Sequence, residues 1–462
     1  MNLMGSNRFY FSLLVFIRLI VNFFFREVSV RNAQFIPKQG PLLLTLNHPN
    51  NLLDSVLIGA VMPRKVHFLA TAMLFRNRLI AALLNAAGAV PVYRAQEGQE
   101  DRQQKNQQTF ARVVELLQTG NAVAIYPEGV THSDPFLHKI KTGAARIALQ
   151  AEAKQNFQLG LRIMPVGLNF LTRKSFRRRV TINFGSPREI GNYADSYRTS
   201  ERDTVSGLTT ELQEAMEDQI LNIERAELQL LIKEVEKVYM DYLAERLRAE
   251  GKPERAEDFT LRQRIIEAVN FYYCYFPERF EQLRDALLNY TRRRDYLNVP
   301  EKAFKSELRE GFSSGLYTRL LLEGILGAPI FLYGASQNLL PYLLPRLLSH
   351  FNARKETDYA TIRLLASMFA FPLFYILQML LCAYYFSPLV AFFYLLSLPL
   401  TGMYAIRYLH GIKYFRRKIH ILYLFLSNRN LLEKLAQDRE SIIAQLNEAR
   451  AEFLKITTGE VV

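Results

Sequence analysis

Short apolar runs alternate with longer amphipathic stretches from about residue 41 to 190, and the alternation sets the first expectation about the fold. PLLLTLNH, AVPVYR, NAVAIYPEG, LRIMPVGLNF and RRVTINFG are short runs rich in β-branched and aliphatic residues, so they predict strands. The stretches Phe110 to Leu117 and Gly143 to Ala153 carry apolar residues at helical spacing and predict helices. Strands interleaved with helices imply an α/β domain, here a mixed sheet covered by helices, in which functional polar residues sit on loops after strand ends.

The pattern changes on either side of that domain. Between Arg8 and Arg26 the residues Arg8, Ser12, Arg18, Asn22 and Arg26 fall in one sector of about 120° on a helix, leaving a wide apolar face. That predicts an interfacial amphipathic helix over residues 1–30 rather than a cleaved signal, with a spanning helix and a snorkelling Arg18 as the other reading. Residues 196–315 have helical period and Glu-Arg or Glu-Lys pairs at short helical spacing, which predicts a helical connector.

Farther on, no charged side chain occurs from Leu364 to Ile406, enough for two spans of about 20 residues each. Ser387 and Pro388 mark the turn of this two-span transmembrane hairpin, residues 364–408. Basic residues flank its outer ends, at Arg354, Lys355 and Arg363 before and Lys413, Arg416, Arg417 and Lys418 after, which puts both ends on the cytoplasmic face. The apolar stretch Leu320 to Leu344 is interrupted by Glu323, Pro329, Gln337, Asn338 and Pro341, and residues 316–350 are expected to be a broken or re-entrant segment. Residues 409–462 form a basic region and a charged helical tail, expected to be exposed from Leu431 to Phe453.

Composition narrows the partner. A net charge of +14 calls for an anionic surface, and its basic clusters, including Arg177, Arg178 and Arg179, adjoin apolar stretches without any nucleic-acid motif. The expected partner is therefore a phospholipid membrane and not nucleic acid. Cys274 and Cys382 have no metal-ligand spacing and are expected to be inert packing residues in a reducing compartment.

Candidate chemistry sits at the predicted strand ends. His48 follows a hydrophobic strand and Asp54 lies six residues on, types that supply a general base and the carboxylate that orients it. Taken alone, the pair reads far more readily as a structural hydrogen bond than as catalysis. Glu128, Gly129, Thr131 and His132 form a polar loop after NAVAIY, and Lys139, Lys141 and Arg146 bring cations to the start of the next helix, where a phosphate is favoured. Arg94 closes another strand with a cation.

In order along the chain, NHPNNLLD, VPVYR, YPEGVTHSDP and IMPVGLNF resemble the four blocks of the glycerophospholipid acyltransferase family, over about residues 30 to 190. Two departures stand out. The family pattern has four residues between His and Asp, whereas five separate His48 from Asp54, so a bulge around Pro49 to Asn51 has to restore the geometry. The usual Glu-Gly-Thr-Arg-Ser is replaced by Glu128-Gly129-Val130-Thr131-His132, which removes the arginine expected to meet the acceptor phosphate. Both departures look like the eukaryotic-type glycerol-3-phosphate and dihydroxyacetone-phosphate acyltransferase branch.

The resemblance implies an acyltransferase domain over residues 31–195, with His48 and Asp54 catalytic and Arg94, Glu128, Gly129, Thr131, His132 and Lys141 binding substrate. It implies transfer of a fatty acyl group from acyl-CoA or an acyl carrier protein to glycerol-3-phosphate or 1-acylglycerol-3-phosphate. Backbone amides near Asn47 or Gly129 would hold the oxyanion, and no metal or organic cofactor is implied. The competing class is a non-catalytic membrane-anchored scaffold that binds lipid or a protein partner. A Ser/His hydrolase is a third, disfavoured reading.

Overall fold

The computed structural model describes residues 14–22, 24–76, 78–92, 102–170, 179–225, 227–251, 257–301, 303–304, 314–353, 355 and 358–458. Arg8, Ser12, Tyr93, Arg94, Arg177, Arg178 and Arg354 lie outside the described residues. The chain divides into two compact units, residues 1–224 with 346–368, and residues 225–345 with 369–462.

The first unit is built on an eight-stranded mixed sheet in the order β1-β7-β6-β2-β5-β3-β4, with β8 paired to β6. Its strands are β1 Glu27–Arg31, β2 Leu42–Leu46, β3 Val66–Thr71, β4 Val90–Val92, β5 Ala122–Ile125, β6 Arg162–Phe170, β7 Arg179–Phe184 and β8 Arg188–Glu189. The pairs β2 with β5, β2 with β6, β3 with β5 and β3 with β4 are parallel, while β6 runs antiparallel to β7 and β8.

The central strand β2, LLLTL, is buried at every position because both faces of the sheet are covered. Side chains alternate between two cores with the period of two that a strand imposes. Leu43, Val123, Ile125 and Ile163 enter one core, and Leu42, Leu44, Ala122, Ala124, Met164 and Val166 enter the other. The first core is closed by helices Arg102–Gln118, Gly143–Ala153 and Glu201–Glu217. The second is closed by the helix Leu52–Val61 and by Ala360 and Leu364 from near the start of the helix Asp358–Tyr385. Thus the segment expected to connect domains begins with a helix, Glu201–Glu217, that is part of this unit: Val205, Leu208, Leu212 and Met216 supply the apolar stripe.

The N-terminal helix, residues 14–22, packs against the rest of the first unit. Arg18 Nε donates to the Ala60 carbonyl at 2.8 Å, and Val21, Phe24 and Phe25 enter the core, while Val15, Phe16 and Leu19 stay exposed.

The second unit is helical. Helices Leu228–Ala249, Asp258–Tyr275, Pro277–Tyr296 and Arg429–Thr458 pack together, and Leu432, Leu435, Ile442, Ile443, Ala449 and Phe453 are buried. The C-terminal helix is therefore not the exposed tail that its charge predicts; its amphipathic stripe is covered. Cys274 is exposed rather than packed, and Cys382 is half-buried.

Ser314–Asn352 is one continuous helix through Pro329, Pro341 and Pro345, where a break was expected. Each proline removes one backbone donor, and the helix carries on across the gap. Asp358–Tyr385 and Pro388–Ser427 are both long and apolar enough to cross a membrane. Ser387 caps the second of these, its Oγ accepting from Val390 N at 3.4 Å, so the turn falls where the sequence put it.

Candidate active site

Parallel β2 and β5 end side by side, and the rung Thr45 to Ile125 aligns them. His48 and Glu128 each lie three residues beyond that rung, so the two predicted loops open at the same edge of the sheet. Outside the carboxyl ends of parallel strands is where open α/β sheets place ligands.

His48 Nδ1 lies 2.9 Å from Asp54 Oδ2, with both side chains buried. The carboxylate accepts the Nδ1 proton, which leaves the Nε2 lone pair to take a proton from a substrate. Asp54 stands in the first turn of the helix Leu52–Val61, where the N-terminal dipole favours its charge. Its Oδ2 also accepts from Asn50 N at 2.8 Å. The five-residue spacing is accommodated by a turn, not by a slip of the helix: Asn51 adopts φ 54 and ψ −131, and Leu53 N donates to Asn50 O at 3.3 Å. An L-residue held there costs about 1–3 kcal/mol, which the surrounding bonds must offset.

The imidazole is fixed on its face as well as its edge. Tyr126 stacks on His48 at 3.8 Å between ring centroids, and its hydroxyl bonds Ser55 Oγ at 2.7 Å. Burial, together with the Asp54 charge, pushes the Tyr126 phenol well above its ordinary range, so it remains a neutral platform. Tyr126 and Ser55 were not singled out in the sequence; their positions next to the Glu-Gly block and to Asp54 were the only signal.

Glu128 is the hub of the second loop. Oε1 accepts from His48 N at 3.1 Å, and Oε2 accepts from His138 N at 3.0 Å and bonds His132 Nε2. His132 stacks on His138 at 3.6 Å with 6° between planes, and His138 Nε2 lies 2.7 Å from Asp134 Oδ2. Gly129 holds φ +71, and a Cβ there would meet Lys141 Nζ at 2.7 Å, so the ammonium sits directly over the turn. Thr131 stands half-buried in the same loop. The Gly129 amide, considered above for the oxyanion, is already used: it donates to Tyr126 O at 3.0 Å. The Asn47 side chain is structural, exchanging two hydrogen bonds with the Leu168 backbone at 2.8 and 3.1 Å.

Glu128, His132 and His138 bring three potential metal-ligand atoms within 4.8 Å of one another. The fit to a metal is poor. The imidazole planes are parallel and face to face, so their in-plane lone pairs run alongside each other instead of converging, and both Glu128 oxygens carry protein donors.

The site thus joins a buried His–Asp pair to a carboxylate-organised loop and a lysine at one edge of an α/β sheet, an arrangement suited to general-base chemistry. Residues 27–169 match the model of the Acyltransferase family. It is 38% identical, over 22% of its own length and 14% of the relative's, to glycerol-3-phosphate O-acyltransferase 2 of Saccharomyces cerevisiae. It is 27% identical, over 27% of its length and 58% of the relative's, to a 1-acyl-sn-glycerol-3-phosphate acyltransferase of Bacillus subtilis. Among solved structures, the 1-acyl-sn-glycerophosphate acyltransferase PlsC from Thermotoga maritima is similar at 17% identity and a TM-score of 0.33, over 45% of this chain and 81% of that one. The chain spans less than half the length of the fungal relatives it matches.

Proposed function

We propose that this protein is a membrane-bound glycerolipid acyltransferase that moves a fatty acyl group from an acyl thioester to a hydroxyl of glycerol-3-phosphate or 1-acylglycerol-3-phosphate. The observation that carries the reading is the buried His48–Asp54 pair at the end of β2. His48 Nε2 takes the acceptor hydroxyl proton as that oxygen attacks the thioester carbonyl. The tetrahedral intermediate collapses, the C–S bond breaks, and the proton passes from the imidazolium to the departing thiolate. No protein nucleophile is needed, because a thiol with a free pKa near 8.5 leaves readily. Asp54 orients the imidazole and stabilises its charged form.

The reading gives the acceptor phosphate to Arg94, Lys141 and His132, with Glu128 positioning the basic side chains and the His48 amide. Acyl-CoA or an acyl carrier protein supplies the thioester, and no step runs through a metal. The names of the yeast and Bacillus relatives support a glycerol-phosphate acceptor. The two long apolar helices and their basic flanks support an integral membrane protein whose catalytic domain faces the cytoplasm.

The test is purified full-length protein with acyl-CoA and a panel of radiolabelled acceptors: glycerol-3-phosphate, dihydroxyacetone phosphate and 1-acylglycerol-3-phosphate. Acyl ester and free CoA should form with one of them, and His48→Ala should lower the rate about 10²- to 10⁴-fold while membrane association persists. An undiminished rate in that variant removes the proposed base.

A further inference from the structure

The turn that brings His48 and Asp54 together is held from outside the family domain. Thr361 Oγ1 donates to the Asn50 carbonyl at 2.9 Å, across 311 residues of sequence and in buried surroundings. We infer that Thr361 is a positioning residue for the His48–Asp54 pair; the inference rests on the acyl transfer proposed above.

The argument turns on the Asn50–Asn51 turn. Asn50 N–H is bound to Asp54 Oδ2, the atom that also holds His48 Nδ1. The Asn50 carbonyl accepts from Leu53 N and from Thr361 Oγ1. The next residue, Asn51, is in a backbone conformation that side chains other than glycine disfavour, so the turn tends to relax unless it is clamped. Relaxation would rotate the Asn50 peptide and withdraw its N–H from Asp54, freeing the carboxylate to leave the imidazole. The clamp itself is rigid: Ala360 and Leu364, on either side of Thr361, are buried in the core that also holds Leu46, Leu53 and Leu57. Asn51 Nδ2 stands 3.5 Å from Asp358 Oδ1 at the start of the same helix. The helix thus meets the turn at two points, and of these the buried Thr361 hydroxyl is the one that bonds the Asn50 peptide itself.

A hydroxyl and a packing role are separable here. Thr361→Val keeps the volume and loses the donor; Thr361→Ser keeps the donor and loses a methyl. In full-length protein reconstituted in vesicles, Thr361→Val should lower kcat about tenfold with the acceptor KM unchanged, as expected for losing one hydrogen bond that aligns the base. Thr361→Ser should recover most of that loss. Adding Asn51→Gly, which removes the strain the hydroxyl holds, should restore part of the kcat lost in Thr361→Val. If the valine variant does not fold, Thr361→Ala with and without Asn51→Gly reads the same coupling. Wild-type kcat in Thr361→Val, equal losses in the Val and Ser variants, or no recovery on adding Asn51→Gly would each overturn the inference. His48→Ala in the same preparation separates the two ideas: an inactive His48→Ala beside an undiminished Thr361→Val sinks the clamp alone, whereas an active His48→Ala sinks the catalytic reading itself.

Discussion

At the scale of single residues, the chemistry is held by backbone as much as by side chains. Asn50 is 1% exposed, yet its Nδ2 makes no hydrogen bond among the described residues, while its N–H and C=O are both engaged. Asn50→Ala should therefore leave kcat within about twofold and not lower the melting temperature, since it removes a buried donor with no partner; a hundredfold loss would mean the amide meets substrate. Gly129 is the converse case. An alanine at φ +71 costs about 1–2 kcal/mol in backbone strain, and its Cβ displaces the flexible Lys141 end. Gly129→Ala is expected to raise the acceptor KM and lower the melting temperature by a few degrees while kcat stays close to wild type, which steady-state kinetics and a thermal melt check together. The residue types of the site were legible because acid, base and cation at strand ends have a chemical meaning. The turn at Asn51 was not, because a spacing of five says only that something must bend. The bond from Thr361 left no local trace at all.

At the scale of elements, the strands that fill the middle of the sheet were readable because both faces are buried and their residues are uniformly apolar. β3, Val66–Thr71, escaped that pattern: His67 and Thr71 dilute it, and Pro63, Arg64 and Lys65 precede it. His67 has a consequence of its own. Burial, aided by the Lys65 and Arg112 charges and opposed by its bond to the Gly88 carbonyl at 2.9 Å, lowers its pKa below the ordinary 6.5. The unfolded chain then binds the proton at a higher pH than the folded one does. This contribution to stability is complete above about pH 7, declines as pH falls below 6.5, and is lost once the folded-state pKa is passed. The melting temperature should fall from pH 7.5 to 5 more steeply for the wild type than for His67→Gln, which retains a donor for Gly88 and cannot titrate. Parallel slopes would show that His67 binds protons equally in the folded and unfolded states, its pKa unshifted by folding.

At the scale of the whole molecule, the domain visible in the sequence and the unit that folds differ. Residues 27–169 match the family, and His48, Asp54 and Glu128 all fall within them. The first compact unit nevertheless includes residues 346–368, which come after more than a hundred residues belonging to the other unit. Sequence periodicity could not reveal this, because it reports which face of a helix is apolar and not which distant surface covers it. The missing pieces are small in number but not in effect. Burying Leu364 stabilises by about 1.5–3 kcal/mol and the Thr361 bond by about 1, a sizeable part of the 5–15 kcal/mol typical of a folded domain. A chain ending at residue 224 keeps every residue of the family domain yet loses both. It should melt several degrees lower than the first unit does in the full protein, bind an apolar dye at the uncovered patch beside Leu53 and Leu57, and turn over acceptor far more slowly at matched concentration. Undiminished turnover by that shortened chain would mean that the C-terminal half contributes nothing to the geometry around His48.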